Sequence, residues 1–417
     1  MTAFGFAALL SIGMPVAFVL LASTFIFMFS TGNFRVLDAM PQIIFSGLEI
    51  FDLLAIPLFI LLGEIMNAGG ITRRLIGAAQ LMLGRLPNSL AYVSLTANLM
   101  LASIMGSATA QIAIMSRVMV PQMEKDGYSR SFSAALVAGA GMLGPVIPPS
   151  MIFIIFGVVA QASIADMFIG GILPGTFLFV LLVVYISIKN KIRIAPETAE
   201  VAEREGLRKS LFGAAAGMSI PVIIVCGISF GIVTPTESAA LATGVAIFLG
   251  FCLYRDLKIS DLSDILGRTA SNSALVLFLI ATAKVFGWVL TYNQVPQAMA
   301  EVLQSLTSSA PVFLLLVFAF AILVGAFLDG IAALIILVPI LLPIATGVYG
   351  IDPIHFGVVV CMTLTIGLLT PPVGTGLYIA SAVANVPFPK LVREIIPFVL
   401  ITMLVVIATI LFPALVM

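Results

Sequence analysis

Two apolar stretches of this chain each carry a double proline four residues after a glycine: Gly144-Pro145-Val146-Ile147-Pro148-Pro149-Ser150 and Gly367-Leu368-Leu369-Thr370-Pro371-Pro372-Val373. Proline has no backbone donor and its ring clashes with the preceding turn, so a helix running through either stretch must break. The flanking sequence is apolar and long enough to cross a bilayer, which puts both breaks at mid-membrane, where no water satisfies the freed amides and carbonyls. Backbone left unpaired at that depth needs an ion or a substrate as its partner. Matching glycine/proline interruptions in two halves of a membrane chain point to the binding site of a secondary transporter.

Composition removes most other classes. The 417 residues are 61% hydrophobic and 9% charged, with mean hydropathy +1.23, whereas soluble domains carry about 25% charge. The chain reads as an all-α polytopic membrane protein. Its formal net charge is zero and no basic cluster is present, so nothing holds a nucleic acid. Cys226, Cys252 and Cys361 lie far apart in apolar sequence and read as small hydrophobic residues without redox or metal chemistry. No phosphate-binding loop, zinc-ligand spacing or nucleophile elbow occurs, so the chain is not expected to be an enzyme or to use ATP.

Lys and Arg positions set the expected topology. Neither residue occurs between Val285 and Pro389, while Arg73, Arg74, Arg85, Lys125, Arg130, residues 189–209, Arg255, Lys258, Arg268, Lys390 and Arg393 gather in loops or at span ends. The positive-inside rule places those groups in the cytoplasm. Spans are expected near residues 4–29, 51–67, 131–163, 170–189, 211–233, 235–254, 268–292, 353–386 and 395–415. The apolar N-terminus reads as a retained first span starting in the cytoplasm, and the C-terminus falls outside. Residues 30–50 are neither clearly spanning nor clearly loop.

Residues 90–123 and 311–347 are too long for one crossing, and each has a break near its middle, Gly106-Ser107-Ala108-Thr109 in one and Asp329-Gly330 in the other. Both are expected to be re-entrant helical hairpins. Basic residues flank the first and not the second, so the two should enter from opposite faces. Gly144, Pro148 and Pro149 align with Gly367, Pro371 and Pro372 at one offset. Two inverted-topology repeats follow, residues 1–189 and 235–417, joined by a cytoplasmic linker and an extra span at 190–234. Each holds a hairpin and a broken helix (131–163, 353–386), and an amphipathic arm precedes each hairpin, at residues 71–86 and 296–308. Arms bracing a hairpin unit suggest elevator-type motion.

Read in order, Gly63-Glu64-Ile65-Met66-Asn67-Ala68-Gly69-Gly70, Gly106-Ser107-Ala108-Thr109-Ala110, the Gly144 to Ser150 break, Thr234-Pro235-Thr236-Glu237 and Leu369-Thr370-Pro371-Pro372-Val373-Gly374 resemble the large membrane (M) subunit of tripartite ATP-independent periplasmic (TRAP) transporters. The resemblance covers nearly the whole chain. It implies a fold of the ion-transporter superfamily in a bacterial inner membrane. It also implies co-transport of Na+ with an organic acid, of the C4-dicarboxylate, sialic-acid or keto-acid kind, delivered by a periplasmic substrate-binding (P) protein. A small four-helix membrane (Q) subunit is implied as a further partner. No extra apolar block precedes Phe4, so that subunit is expected as a separate chain. A standalone dicarboxylate carrier and an ion channel are the rival readings; inverted halves in one chain favour alternating access over a channel.

For the sodium that the resemblance implies, carbonyls freed by a broken helix beside a hairpin tip supply oxygens without full charge, and helix C-terminal ends add negative potential. One site is expected from Ser103, Gly106 and Ser107 with Gly144, Val146 and Pro149, and a second from Gly325, Asp329 and Gly330 with Gly367, Thr370 and Val373. The same small residues would also serve close helix packing. An anionic substrate suits helix N-termini instead, and Ser107, Thr109, Pro149, Ser150, Gly374 and Thr375 are the candidates. Gln111 and Arg117 stand where many members carry Asp and a small residue; both join the substrate candidates, as does Lys284. Glu64 is expected to pair with Arg117 or Lys284, Glu237 to cap a helix, Asp329 to bind an ion or stabilise its tip, and His355 to sit at the membrane interface.

Overall fold

A computed structural model of the chain describes residues 2–32, 34–84, 88–191 and 207–416. These residues hold nineteen α-helices and no strand. The chain begins with α1 (Thr2–Ser11) and α2 (Val16–Thr31), which fold back so that Gly5 packs on Ile26. The single span expected over residues 4–29 is therefore a short helical pair. Pro15 contributes no amide to continue α1, and Gly13, at φ +82°, takes a turn conformation open to glycine. Residues 30–50 resolve into α3 (Arg35–Leu48).

Next come α4 (Ala55–Ala68), α5 (Ile71–Leu83), α6 (Ser89–Met105), α7 (Ala108–Lys125), α8 (Arg130–Gly141), α9 (Met151–Ala160) and α10 (Ile164–Lys191). Two helices then intervene, α11 (Leu207–Ser229) and α12 (Pro235–Phe248), the latter running on as a π-helical turn to Tyr254. The chain closes with α13 (Ile259–Tyr292), α14 (Val295–Leu306), α15 (Ala310–Gly325), α16 (Gly330–Gly347), α17 (Pro353–Gly367), α18 (Thr375–Ala384) and α19 (Phe388–Leu411). Most of the polar connector expected over residues 190–209 lies outside the described residues, as do Arg85 and Leu86 at the end of the first arm.

The series α4 to α10 repeats as α13 to α19, element for element: a leading helix (14 residues in α4, 34 in α13), an arm, two hairpin helices, two half-helices and a long closing helix. Counterparts from arm to last helix begin about 223 residues apart, the separation of Gly144 from Gly367. Both breaks carry a cis bond within the double proline, Pro148-Pro149 and Pro371-Pro372. Arm α14 meets hairpin helix α15 at a 115° bend. Among the described residues six helices are long and apolar enough to cross a membrane, α10, α13 and α19 among them.

Side-chain contacts show that the repeats are inverted. Arg130, at the start of α8, donates through Nε to the carbonyl of Ala384 at the end of α18, 2.6 Å away. At the other end Phe156 of α9 packs against Gly357, near the start of α17, where a Cβ would collide with its ring. Each broken helix thus starts beside the finish of the other, and the two run antiparallel. Hairpin helices cross over in the same manner: Gly330 of α16 lies against Ile152 of α9, and Ile112 of α7 against Gly376 of α18.

Local chemistry fixes the joints. Thr234 and Glu237 form a reciprocal capping box at the start of α12, with Pro235 in its first turn. That is the capping role expected of Glu237. Arg74 of the first arm pairs with Asp256 and stacks 4.0 Å over the Tyr254 ring, which holds the arm to the end of the π-helical turn. One expectation is overturned. Glu64 accepts from Arg268 Nε at 2.9 Å, joining α4 to α13, and pairs with neither Arg117 nor Lys284. His355, near the start of α17, is buried under α19, and its Nε2 lies 2.9 Å from the Thr409 carbonyl; no local pattern announces that partner.

Candidate transport site

Each break folds onto the tip of its own repeat's hairpin. In the first, the tip turn is Gly106-Ser107, with Gly106 at φ +56°. A methyl group on Gly106 would lie 2.8 Å from the Met151 amide nitrogen and 3.2 Å from the Pro149 carbonyl oxygen, so only glycine allows the tip to approach. The Met151 amide donates to the Gly106 carbonyl at 3.3 Å. In the second repeat the Gly374 amide donates to the Ala326 carbonyl at 3.1 Å. A methyl on Gly367 would come within 2.6 Å of Gly325. Both joints therefore consist of backbone against backbone, with glycine at the contact.

Within the first joint Gly144 faces Gln111 Oε1, 2.7 Å from where a Cβ would stand. Gln111 is fully buried, and its amide nitrogen donates to the Asn98 carbonyl at 2.7 Å and to Asn98 Oδ1 at 2.9 Å. Its own oxygen has no partner among the described residues. Sequence reading missed Asn98; the signal was an amide side chain in the middle of an apolar hairpin helix, which costs several kcal/mol, roughly 2–7, unless satisfied. Ser103 Oγ donates to the Met100 carbonyl at 2.8 Å, and the Ser107 and Thr109 hydroxyls lie 3.2 Å apart. Ser150 is buried and bonds within its own break, to the Pro145 carbonyl and the Phe153 amide. The Val146 carbonyl lies against Gly171 of α10, 2.7 Å from where a Cβ would be.

The second joint is more open. Pro371 and Pro372 are exposed and Thr370 and Val373 half-buried, whereas Pro148 and Pro149 are buried. Thr370 donates its hydroxyl to the Ile366 carbonyl at 2.8 Å. Asp329 is exposed and caps α16, accepting from the Ile331 amide at 3.1 Å, so tip stabilisation is the part of its expected role seen here. Thr375 Oγ1 is buried without a partner. Gln111 Oε1 in the first joint and Thr375 Oγ1 in the second are thus buried polar atoms without a partner among the described residues.

Two substrate candidates stand elsewhere. Arg117 is exposed on α7, two turns beyond the tip. Lys284 lines a cleft with Ile43, Val158, Trp288 and Pro339, and no tip or break residue borders it. Among the described residues no group of three or more His, Cys, Asp or Glu is placed to hold a metal ion, so a cation at these joints would meet mainly carbonyl and hydroxyl oxygens.

Residues 3–415 match the family described as the tripartite ATP-independent periplasmic transporter, DctM component. The chain belongs to that family. This TRAP permease is 35% identical to the sialic acid TRAP transporter large permease SiaM of Vibrio cholerae over 98% of its own length and 95% of that protein. It is 35% identical to the 2,3-diketo-L-gulonate large permease YiaN of Escherichia coli, covering 94% and 92%. Against the isethionate permease DctMQ of Oleidesulfovibrio alaskensis it is 37% identical over 98% of its length, and spans 64% of that longer protein. Fold likeness extends to the YdaH transporter of Alcanivorax borkumensis (TM-score 0.69, 13% identity, 91% of this chain and 88% of that one). Neisseria gonorrhoeae MtrF is also similar (TM-score 0.62, 12% identity, 92% and 84%). The TRAP permease is a membrane transporter component and not an enzyme.

Proposed function

We propose that this TRAP permease imports an organic acid by secondary transport coupled to Na+, receiving the acid from a periplasmic binding protein and working with a small four-helix membrane subunit. The observation carrying this reading is the pair of inverted tip-to-break joints, each with a buried oxygen that has no partner among the described residues. Gln111 Oε1 with the Gly106, Gly144 and Pro149 backbone supports one cation site, and Thr370 with the Gly325 and Gly367 backbone supports the other. Thr375, Thr109 and Ser107 are the hydroxyls offered to a carboxylate. Relatives named for isethionate, sialic acid and C4-dicarboxylates support an acid as the substrate class.

The repeat units are assigned to α4–α10 and α13–α19 with α11 and α12 between them, so the expected bounds 1–189 and 235–417 narrow at their starts, and the basic loops are assigned to the cytoplasm, the N-terminus inside and the C-terminus in the periplasm. The hairpins and half-helices would move together against the arms and long helices, as an elevator does. The test is uptake by purified permease and small subunit in liposomes. Accumulation should require both a loaded binding protein and an inward Na+ gradient; uptake without either overturns the tripartite, sodium-coupled reading.

A further inference from the structure

The cleft holding Lys284 lies apart from both joints. It encloses about 350 Å³ and is walled by α3 and α13 on one side and by α9 and α16 on the other. Ile280, Lys284, Gly287, Trp288 and Thr291 reach it from a single face of α13, as their spacing of three and four requires. Gly287 lets Pro339 of α16 close to 3.2 Å from a would-be Cβ, so the cleft is a seam where helices of different units meet. The lining is mostly aliphatic, with Ile43, Val158, Val159 and Ile335 around one cation and the Ser46 and Thr291 hydroxyls.

Lys284 is unpaired. Among the described residues the ion pairs are Arg74–Asp256, Arg130–Glu124 and Arg268–Glu64, and no hydrogen bond to the Lys284 ammonium is present. A cation inside a membrane protein without an acidic partner is costly, and the aliphatic groove around it cannot repay that cost. One turn further along, Trp288 stacks on Tyr292 with ring centroids 5.3 Å apart. Such aromatic pairs sit at headgroup level. An anion carried on an apolar chain meets both requirements, its charge on Lys284 below the aromatic pair and its chain along the aliphatic wall.

We infer that this cleft binds one acidic phospholipid, its phosphate on Lys284 with Ser46 and Thr291, its acyl chain along the wall of Ile43, Val158, Val159 and Ile335. A lipid so seated bridges helices of the hairpin units and the surrounding frame. The proposal concerns binding and does not depend on an uptake assay.

The test reconstitutes the permease in nanodiscs of phosphatidylcholine with or without phosphatidylglycerol. Native mass spectrometry should find one phosphatidylglycerol retained after delipidation by the unaltered protein and by Lys284→Arg. Retention should fall about fivefold in Lys284→Gln, the change one basic residue makes to acidic-lipid binding. Should Lys284→Gln not fold, the unaltered protein still decides: its melting temperature must be higher with phosphatidylglycerol than with phosphatidylcholine alone. Equal retention by both proteins, or equal melting in both lipids, overturns the proposal. So does protection by inorganic phosphate or succinate that matches phosphatidylglycerol, since the occupant would then be a free anion.

Discussion

Gly325 and Gly367 meet backbone to backbone where hairpin helix α15 crosses the end of α17, with room for no side chain: a Cβ on Gly367 would stand 2.6 Å from the Gly325 Cα. Overpacking a close contact costs about 1–3 kcal/mol when neighbours can shift, and here the neighbour is backbone. Gly367→Ala should therefore lower the melting temperature and abolish uptake. Gly63→Ala, at a glycine with nothing within 4 Å, should leave both unchanged. Equal melting of the two variants would mean that the hairpin and the break are not in contact.

Thr375 provides a cleaner separation of function from stability. Its hydroxyl is buried and has no partner among the described residues, so replacing it with valine discards no hydrogen bond seen there, and removing an unsatisfied buried group is neutral or favourable. Thr375→Val should melt at or above the unaltered temperature while its half-saturating substrate concentration rises about tenfold, the equivalent of one lost hydrogen bond of about 1.4 kcal/mol. Unaltered uptake kinetics would remove Thr375 from the substrate site.

Thr370→Val keeps the side-chain shape and gives up one oxygen that at present donates to the Ile366 carbonyl at 2.8 Å. If that oxygen also faces sodium, the Na+ concentration giving half-maximal uptake should rise several-fold while the substrate dependence at saturating Na+ stays the same. Flux titrated against Na+ provides the check, and a superimposable curve takes Thr370 out of the cation site.

The local features of this architecture were legible in the sequence, and the distant ones were not. Hairpins expected at residues 90–123 and 311–347 appear as α6–α7 and α15–α16, and broken helices expected at 131–163 and 353–386 as α8–α9 and α17–α18. Proline and glycine act on their own turn of helix, so their effect can be read from a short window. Hydropathy is blind to such effects within an apolar run, and the fold-back at Gly13 to Pro15 was hidden in what looked like one span. Polar first turns escape it too: α13 starts at Ile259, nine residues before its apolar stretch. Partners far apart in sequence, Glu64 with Arg268 or His355 with Thr409, depend on which helices the fold brings together. The tip glycines were identifiable as candidates, but the unsatisfied oxygen of Gln111 is visible only once Asn98 has taken the other end of its amide.

His355 separates a structural histidine from a proton carrier. It is buried, and its ring nitrogen reaches the Thr409 carbonyl at 2.9 Å, tying the start of α17 to the far end of α19. His355→Ala strands that carbonyl and should cost about 1–3 kcal/mol, visible as a lower melting temperature. His355→Gln retains a side-chain donor and should recover most of the loss. Neither change should alter the dependence of uptake on external pH, because the ring serves a helix-to-helix bond and faces no joint residue. A pH profile that flattens in His355→Gln while the melting temperature holds would show that the imidazole moves protons during transport.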